Sequence, residues 1–176
     1  MDGVRTLSAA LCCMAALTWC GCEDGGGGGI DPNAQVGWTQ LREALDPVIA
    51  SGRGVSNAGA YQPDVAGVHK VFLMDASYAA WEPHTLAETE LVEVRNLSFQ
   101  RTGMTKTYSD GKSYELQTAH FEMTLREART GKVVAQAAFD ATDWPNFARV
   151  TPGTTWVTAD LDPKPVINWL RPYVER

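Results

Sequence analysis

The chain predicts an α+β fold, in which an antiparallel sheet of about four strands carries an N-terminal and a C-terminal helix on one face. Three observations predict it. Apolar residues alternate through residues 114–127 and again through 133–139, on either side of a turn at Gly131. Trp38, Leu41, Leu45, Val48 and Ile49 recur at near-helical spacing early in the chain. Val166, Ile167, Leu170, Tyr173 and Val174 form a second such stripe near its end. No repeat or second domain is visible, so residues 37–176 read as a single domain.

In the first helix Arg42 and Glu43 fall between the apolar positions, and Pro47 ends the helix near Leu45. A short second turn follows, with Asp46 as N-cap and Pro47 at N1. Residues 51–63 mix glycine and proline without periodicity and read as loop. Residues 70–75 (KVFLMD) are apolar on both faces, as a central buried strand would be. Residues 89–101 read as the next strand, with a change of parity. Val92 and Val94 share one face, and Leu97 and Phe99 share the other. A one-residue bulge near Arg95 and Asn96 would bring all four to the same side.

Residues 103–112 are polar and turn-rich. In the segment after them Ala119, Phe121, Met123 and Leu125 share one face, and His120, Glu122, Thr124 and Arg126 share the other. Ala128-Arg129-Thr130-Gly131 is a hairpin turn in which Gly131 is free to take positive φ. Val133, Ala135, Ala137 and Phe139 continue the apolar face. The last helix starts with Asp162 as N-cap and Pro163 at N1.

The segment LREARTGKVVAQAAFDA, with WLRPYV downstream, resembles uncharacterised bacterial lipoprotein and extracytoplasmic domains of unknown function, in which a similar hairpin precedes a Trp-Leu helix. The likeness spans roughly residues 69–174. It implies a fold and carries no activity with it. Relatives of this kind often have cysteines flanking the hairpin, and this chain has none there.

Residues 1–21 read as a lipoprotein signal peptide. Arg5 supplies its positive charge, and the apolar core at about residues 7–19 is shorter than the ~18 residues of a membrane span. Cys22 follows Gly21, the small residue expected before a lipidated cysteine, and is the first choice for modification. Cys20 is the second choice, because Leu17 stands three residues before it but the bulky Trp19 immediately precedes it. Plain secretion or an uncleaved anchor is the other reading. Residues 22–36 then form a tether whose glycine-rich coil reaches on the order of 20 Å. The expected location is the bacterial cell envelope, lipid-anchored on the extracytoplasmic side.

All four cysteines lie at or before residue 22. The roughly 147 residues beyond Gly29 can build one core without disulfides. Zinc–cysteine sites and catalytic thiols are excluded from the folded part. The net charge of −6, without a basic cluster, argues against nucleic-acid partners.

The sequence supplies no catalytic motif. Gly111-Lys112-Ser113 ends like a phosphate-binding loop, but Lys106 stands where its first glycine should be. Gly131-Lys132 fails in the same way. His69, His84 and His120 have no ligand spacing, so no metal and no cofactor is expected. No nucleophile elbow occurs. Glu88 with Glu90, Glu122 with Glu127, and Asp140 with Asp143 read as solvated carboxylates.

Tyr78, Trp81, Trp144, Phe147 and Trp156 fall in or near loops. They are candidate binding aromatics for a glycan or a protein, or else lids over the open end of the core. The leading expectation is a membrane-anchored, non-catalytic binding domain whose partner is an envelope protein or glycan. The alternative is an envelope hydrolase using carboxylates with His84 or His120.

Overall fold

The computed structural model describes residues 31–74, 78–145 and 155–176. The leader, Cys20, Cys22, the glycine run and Phe147 lie outside the described residues. The elements are α1 (Trp38–Ala44), α2 (Asp46–Ser51), β1 (Val71–Phe72), β2 (Leu91–Thr107), β3 (Ser113–Glu127), β4 (Val133–Ala141), β5 (Trp156–Thr158) and α3 (Pro163–Val174). No described helix is long and apolar enough to cross a membrane.

The α+β class holds, with a sheet that is larger and more mixed than the sequence implies. Its order is β1-β2-β3-β4, and β5 also pairs with β3. β2–β3 and β3–β4 are antiparallel, whereas β1–β2 and β3–β5 are parallel. The strand read at residues 70–75 as central is β1, two residues long and at the end of the strand order, while β5, three residues long, escapes sequence reading. Such pieces carry no periodicity of their own.

The helices cover opposite faces, which corrects the one-face expectation. Val166, Leu170 and Val174 of α3 pack with Val71, Leu91, Met123 and Leu125. Leu41, Leu45 and Val48 of α1 and α2 pack with Phe72, Val92 and Ala128. Successive strand residues point to opposite faces, so the neighbours Val71 and Phe72 enter different cores. Both are buried, and each needs its own cover.

Local details follow the residues. Pro47 separates α1 from α2, but the N-cap of α2 is Leu45, and Asp46 already belongs to the helix. Gly52, at φ 69°, ends α2 in the left-handed region. The loop after it docks on the β3–β4 turn, where Gly131 has φ 75°. A Cβ on Gly131 would lie 1.9 Å from the Gly52 carbonyl oxygen. Across this contact the Val55 N–H donates to the Ala128 carbonyl at 2.9 Å. Arg126 Nη1 donates to the Gly131 carbonyl, also at 2.9 Å. In α3 the Asp162 carboxylate accepts from the Lys164 N–H at 3.0 Å, as expected for its cap.

β2 departs most from its reading. Its register against β3 is continuous from Leu91 to Arg101, with no bulge at Arg95–Asn96. The irregularity falls between Arg101 and Thr105, around Gly103 at φ 74°, and the strand runs on to Thr107. Parity is therefore kept. Val92 and Val94 face α1 and α2, while Leu97 and Phe99 lie on the other face. Leu97 and Phe99 are 48 % and 52 % exposed.

Candidate functional site

A cleft of about 480 Å³ opens where the segment before α1 meets the end of β1. Its position follows from two tethers. The Val36 N–H donates to the His84 carbonyl at 3.1 Å, which fixes the approach to α1. Trp38 then stacks on Phe72, with ring centroids 5.4 Å apart and planes at 26°. Its Nε1–H donates to the Leu73 carbonyl at 3.2 Å. The seven-residue helix is too short to bury so large a ring, and Trp38 stays 45 % exposed. Val36, Leu41, Leu73 and Met74 supply aliphatic lining, and Tyr78, Glu82 and His84 add polar groups. The volume lies in the range of ligand pockets, and the mixture of apolar wall and few polar groups is theirs as well.

Of the five aromatics singled out in the sequence, the four among the described residues do not assemble. Tyr78 lines the cleft. Trp81 is fully buried behind it, 4.4 Å away between ring centroids, and offers no surface to a ligand. Its Nε1–H donates to Glu175 Oε1 at 3.0 Å, which satisfies the indole inside the core. Trp144 and Trp156 belong to the far end of β2 and β3. Trp144 approaches Tyr108, and the Lys106 ammonium lies within cation–π distance of both rings. The Arg101 guanidinium stacks 4.4 Å over Trp156. The cleft's own tryptophan, Trp38, reads in sequence as part of the helix stripe. The one available signal was its place at the very start of a helix cut short by Pro47.

The histidines go to three separate places. His84 is exposed at the cleft, and its backbone N–H donates to Glu88 Oε2 at 3.0 Å. His69 is buried, with Nδ1 2.6 Å from Glu90 Oε2 and the Tyr61 ring edge-on to it. Its Nε2 has no hydrogen-bond partner among the described residues. His120 lies on the open, polar sheet face, with Nδ1 2.6 Å from Asp140 Oδ1. Ser98, His120 and Asp140 are successive cross-strand partners and line a groove of about 510 Å³. No hydrogen bond joins Ser98 to the imidazole, so the row has an oriented histidine without an engaged nucleophile. Among the described residues no three metal-ligating side chains converge.

The paired carboxylates are dispersed too. Glu90 holds His69, Glu88 holds the His84 backbone, and Asp140 holds His120. A carboxylate missed by the sequence reading is Glu93, which is fully buried against Arg95. Arg95 Nη2 donates to it at 3.0 Å, and the Met74 N–H points at it from 3.4 Å. A glutamate on an alternating strand looks solvated in sequence; Arg95 and the Met74 backbone beyond β1 are what stand against it.

At the β2–β3 turn, Asp110 accepts from the Lys112 N–H and from the Tyr114 hydroxyl. The Lys112 backbone bond, then the Tyr114 bond, hold Asp110 below the usual carboxylate range. The same Asp110 bond, with burial after it, raises Tyr114. Burial raises Tyr108 and Tyr61. None of these shifted groups lines the cleft.

No protein family, curated protein or solved structure matches the chain.

Proposed function

We propose that the protein is a lipid-anchored, non-catalytic binding domain of the bacterial cell envelope, held through Cys22. Its cleft receives an apolar side chain of another envelope protein. The observation that carries this reading is the Trp38 cleft: a half-exposed tryptophan over a largely aliphatic lining, with Glu82 and His84 beside it. Aliphatic walls suit a protein anchor residue better than a sugar, which needs a denser set of hydrogen-bonding groups. The leader and the glycine tether support the envelope location. A hydrolase reading draws less support, because His120 meets a single carboxylate on an open sheet face and Ser98 does not engage it.

In-cell photocrosslinking tests the cleft. A photoreactive residue replacing Glu82 is expected to give a discrete protein adduct, and the same residue replacing exposed Lys112 at the far turn is not. Adducts of equal yield from both positions, or from neither, would refute the cleft. Membrane fractionation tests the anchor: Cys22→Ala should release the protein from the membrane fraction. Unchanged retention of that variant would refute lipidation at Cys22.

A further inference from the structure

We infer that the outer edge of β2 is a self-association surface, on which a second copy of this chain adds its own β2 antiparallel to form one continuous sheet.

β2 is long, and β1 covers it only at Leu91 and Val92. The hydrogen-bond pattern shows which backbone groups the edge presents. The Ala128 N–H donates to the Glu90 carbonyl, and the Leu91 N–H to Lys70 on the other side. Residues of one parity therefore bond to β3, and the other parity turns its N–H and C=O outward. With continuous register to Arg101, the outward set includes Leu97, Phe99 and Arg101. The Gln100 carbonyl agrees, since it accepts from Thr118 Oγ1 on the β3 side. Among the described residues no strand faces this part of the edge.

The side chains there are unusual for an open edge. Natural edges are blunted by charges directed along them. Here the five residues 96–100 (NLSFQ) carry no charge. The charged residues beyond them have partners on the chain itself, Arg101 with Trp156 and Glu115, and Lys106 with Tyr108 and Trp144. Leu97 and Phe99 project from the outward-bonding residues and are about half exposed, although the core was open to apolar residues elsewhere on the strand.

The charges also choose the register. A two-fold axis at Ser98 would set Arg95 opposite Arg101 of the second copy. An axis at Leu97 would bring the incoming strand against Glu93, where Met74 already lies. An axis at Phe99 pairs Phe99 with its own copy and Leu97 with Arg101, and avoids both conflicts. The bulge that begins after Arg101 ends the pairing. The contact closes on itself, because each copy uses its single β2 edge.

Two Leu97 and two Phe99 side chains with their strand edges remove roughly 600–900 Å² from water, less than the ~1,200 Å² of a stable interface. The dimer is accordingly weak, at the low end of specific interfaces.

Sedimentation equilibrium of the full chain in density-matched detergent tests this. Across about 10 to 500 µM, a range of weak association, the mass should rise from monomer towards dimer and not beyond. Phe99→Arg, which opposes two guanidinium groups at the axis, should weaken association at least tenfold. Met104→Arg, equally exposed but inside the bulge and so outside the paired run, should leave it within twofold. Amide exchange adds an independent readout. Leu97, Phe99 and Arg101 should gain protection with concentration, while Ser98, bonded to β3, is protected throughout. A monomer at every concentration overturns the inference, as do open-ended oligomers or equal weakening by both arginines. Edge amides whose exchange ignores concentration also overturn it and leave the edge to an extended peptide of another protein.

Discussion

Gly131 and Gly111 provide a matched pair of perturbations. Both sit in turns of the sheet, at φ 75° and 77°. Alanine at either position meets the same backbone penalty, about 1–2 kcal/mol for a left-handed L-residue. They differ in what the new methyl group meets. At Gly111 nothing lies within 4 Å, so Gly111→Ala should cost only that penalty. At Gly131 the methyl would stand 1.9 Å from the Gly52 carbonyl oxygen, and the loop after α2 must move away. One hydrogen bond crosses that contact, from Val55 to Ala128. Its loss adds about 1 kcal/mol. Gly131→Ala should therefore be destabilising by about 2–3 kcal/mol, some 1 kcal/mol beyond Gly111→Ala. Urea unfolding followed by tryptophan fluorescence measures both, compared by midpoint at constant slope. Equal losses in the two variants would refute the docking of the α2 loop on the β3–β4 turn.

Further expectations concern the core and pH. Trp81→Ala removes a fully buried ring and its bond to Glu175, and should cost about 3–5 kcal/mol, whereas Trp38→Ala at the cleft should cost far less; thermal melts of the two variants compare them directly. Asp110 titrates lower in the folded chain than in the unfolded one, so the folded state binds fewer protons there. The stability it contributes is present above the ordinary aspartate value, near pH 4, and is lost as pH falls through the lower folded value. Asp110→Asn should flatten the acid limb of stability below about pH 4 and leave its shape unchanged near neutrality; an acid limb of the same steepness would count against the Lys112 and Tyr114 bonds.

Local chemistry was legible where the pattern was long. The β3–β4 hairpin, the Asp162 cap, the turn at Gly131 and the stripe of α3 all stand where the residues place them. These features depend on neighbours within a few positions, and alternation or helical spacing records such neighbours directly. The misreading of β2 came from a sound rule applied to the wrong premise. Four apolar residues of mixed parity suggested a bulge only on the assumption that all four are buried. The strand instead keeps its parity, buries the valines and exposes Leu97 and Phe99.

The sequence by itself determined the fold class, the hairpin, the Asp162 cap and the confinement of cysteine to residues 12–22. Each of these is a property of short segments or of composition. Tertiary structure alone decided that the helices cover opposite faces, that Glu93 is buried and Trp38 exposed, and that Tyr78 and Trp81 lie apart from Trp144 and Trp156. Those outcomes depend on which distant segment covers a given face. A two-residue parallel strand leaves no periodicity to read, and the stripe through α1 and α2 marks an apolar face without saying which side of the sheet it covers.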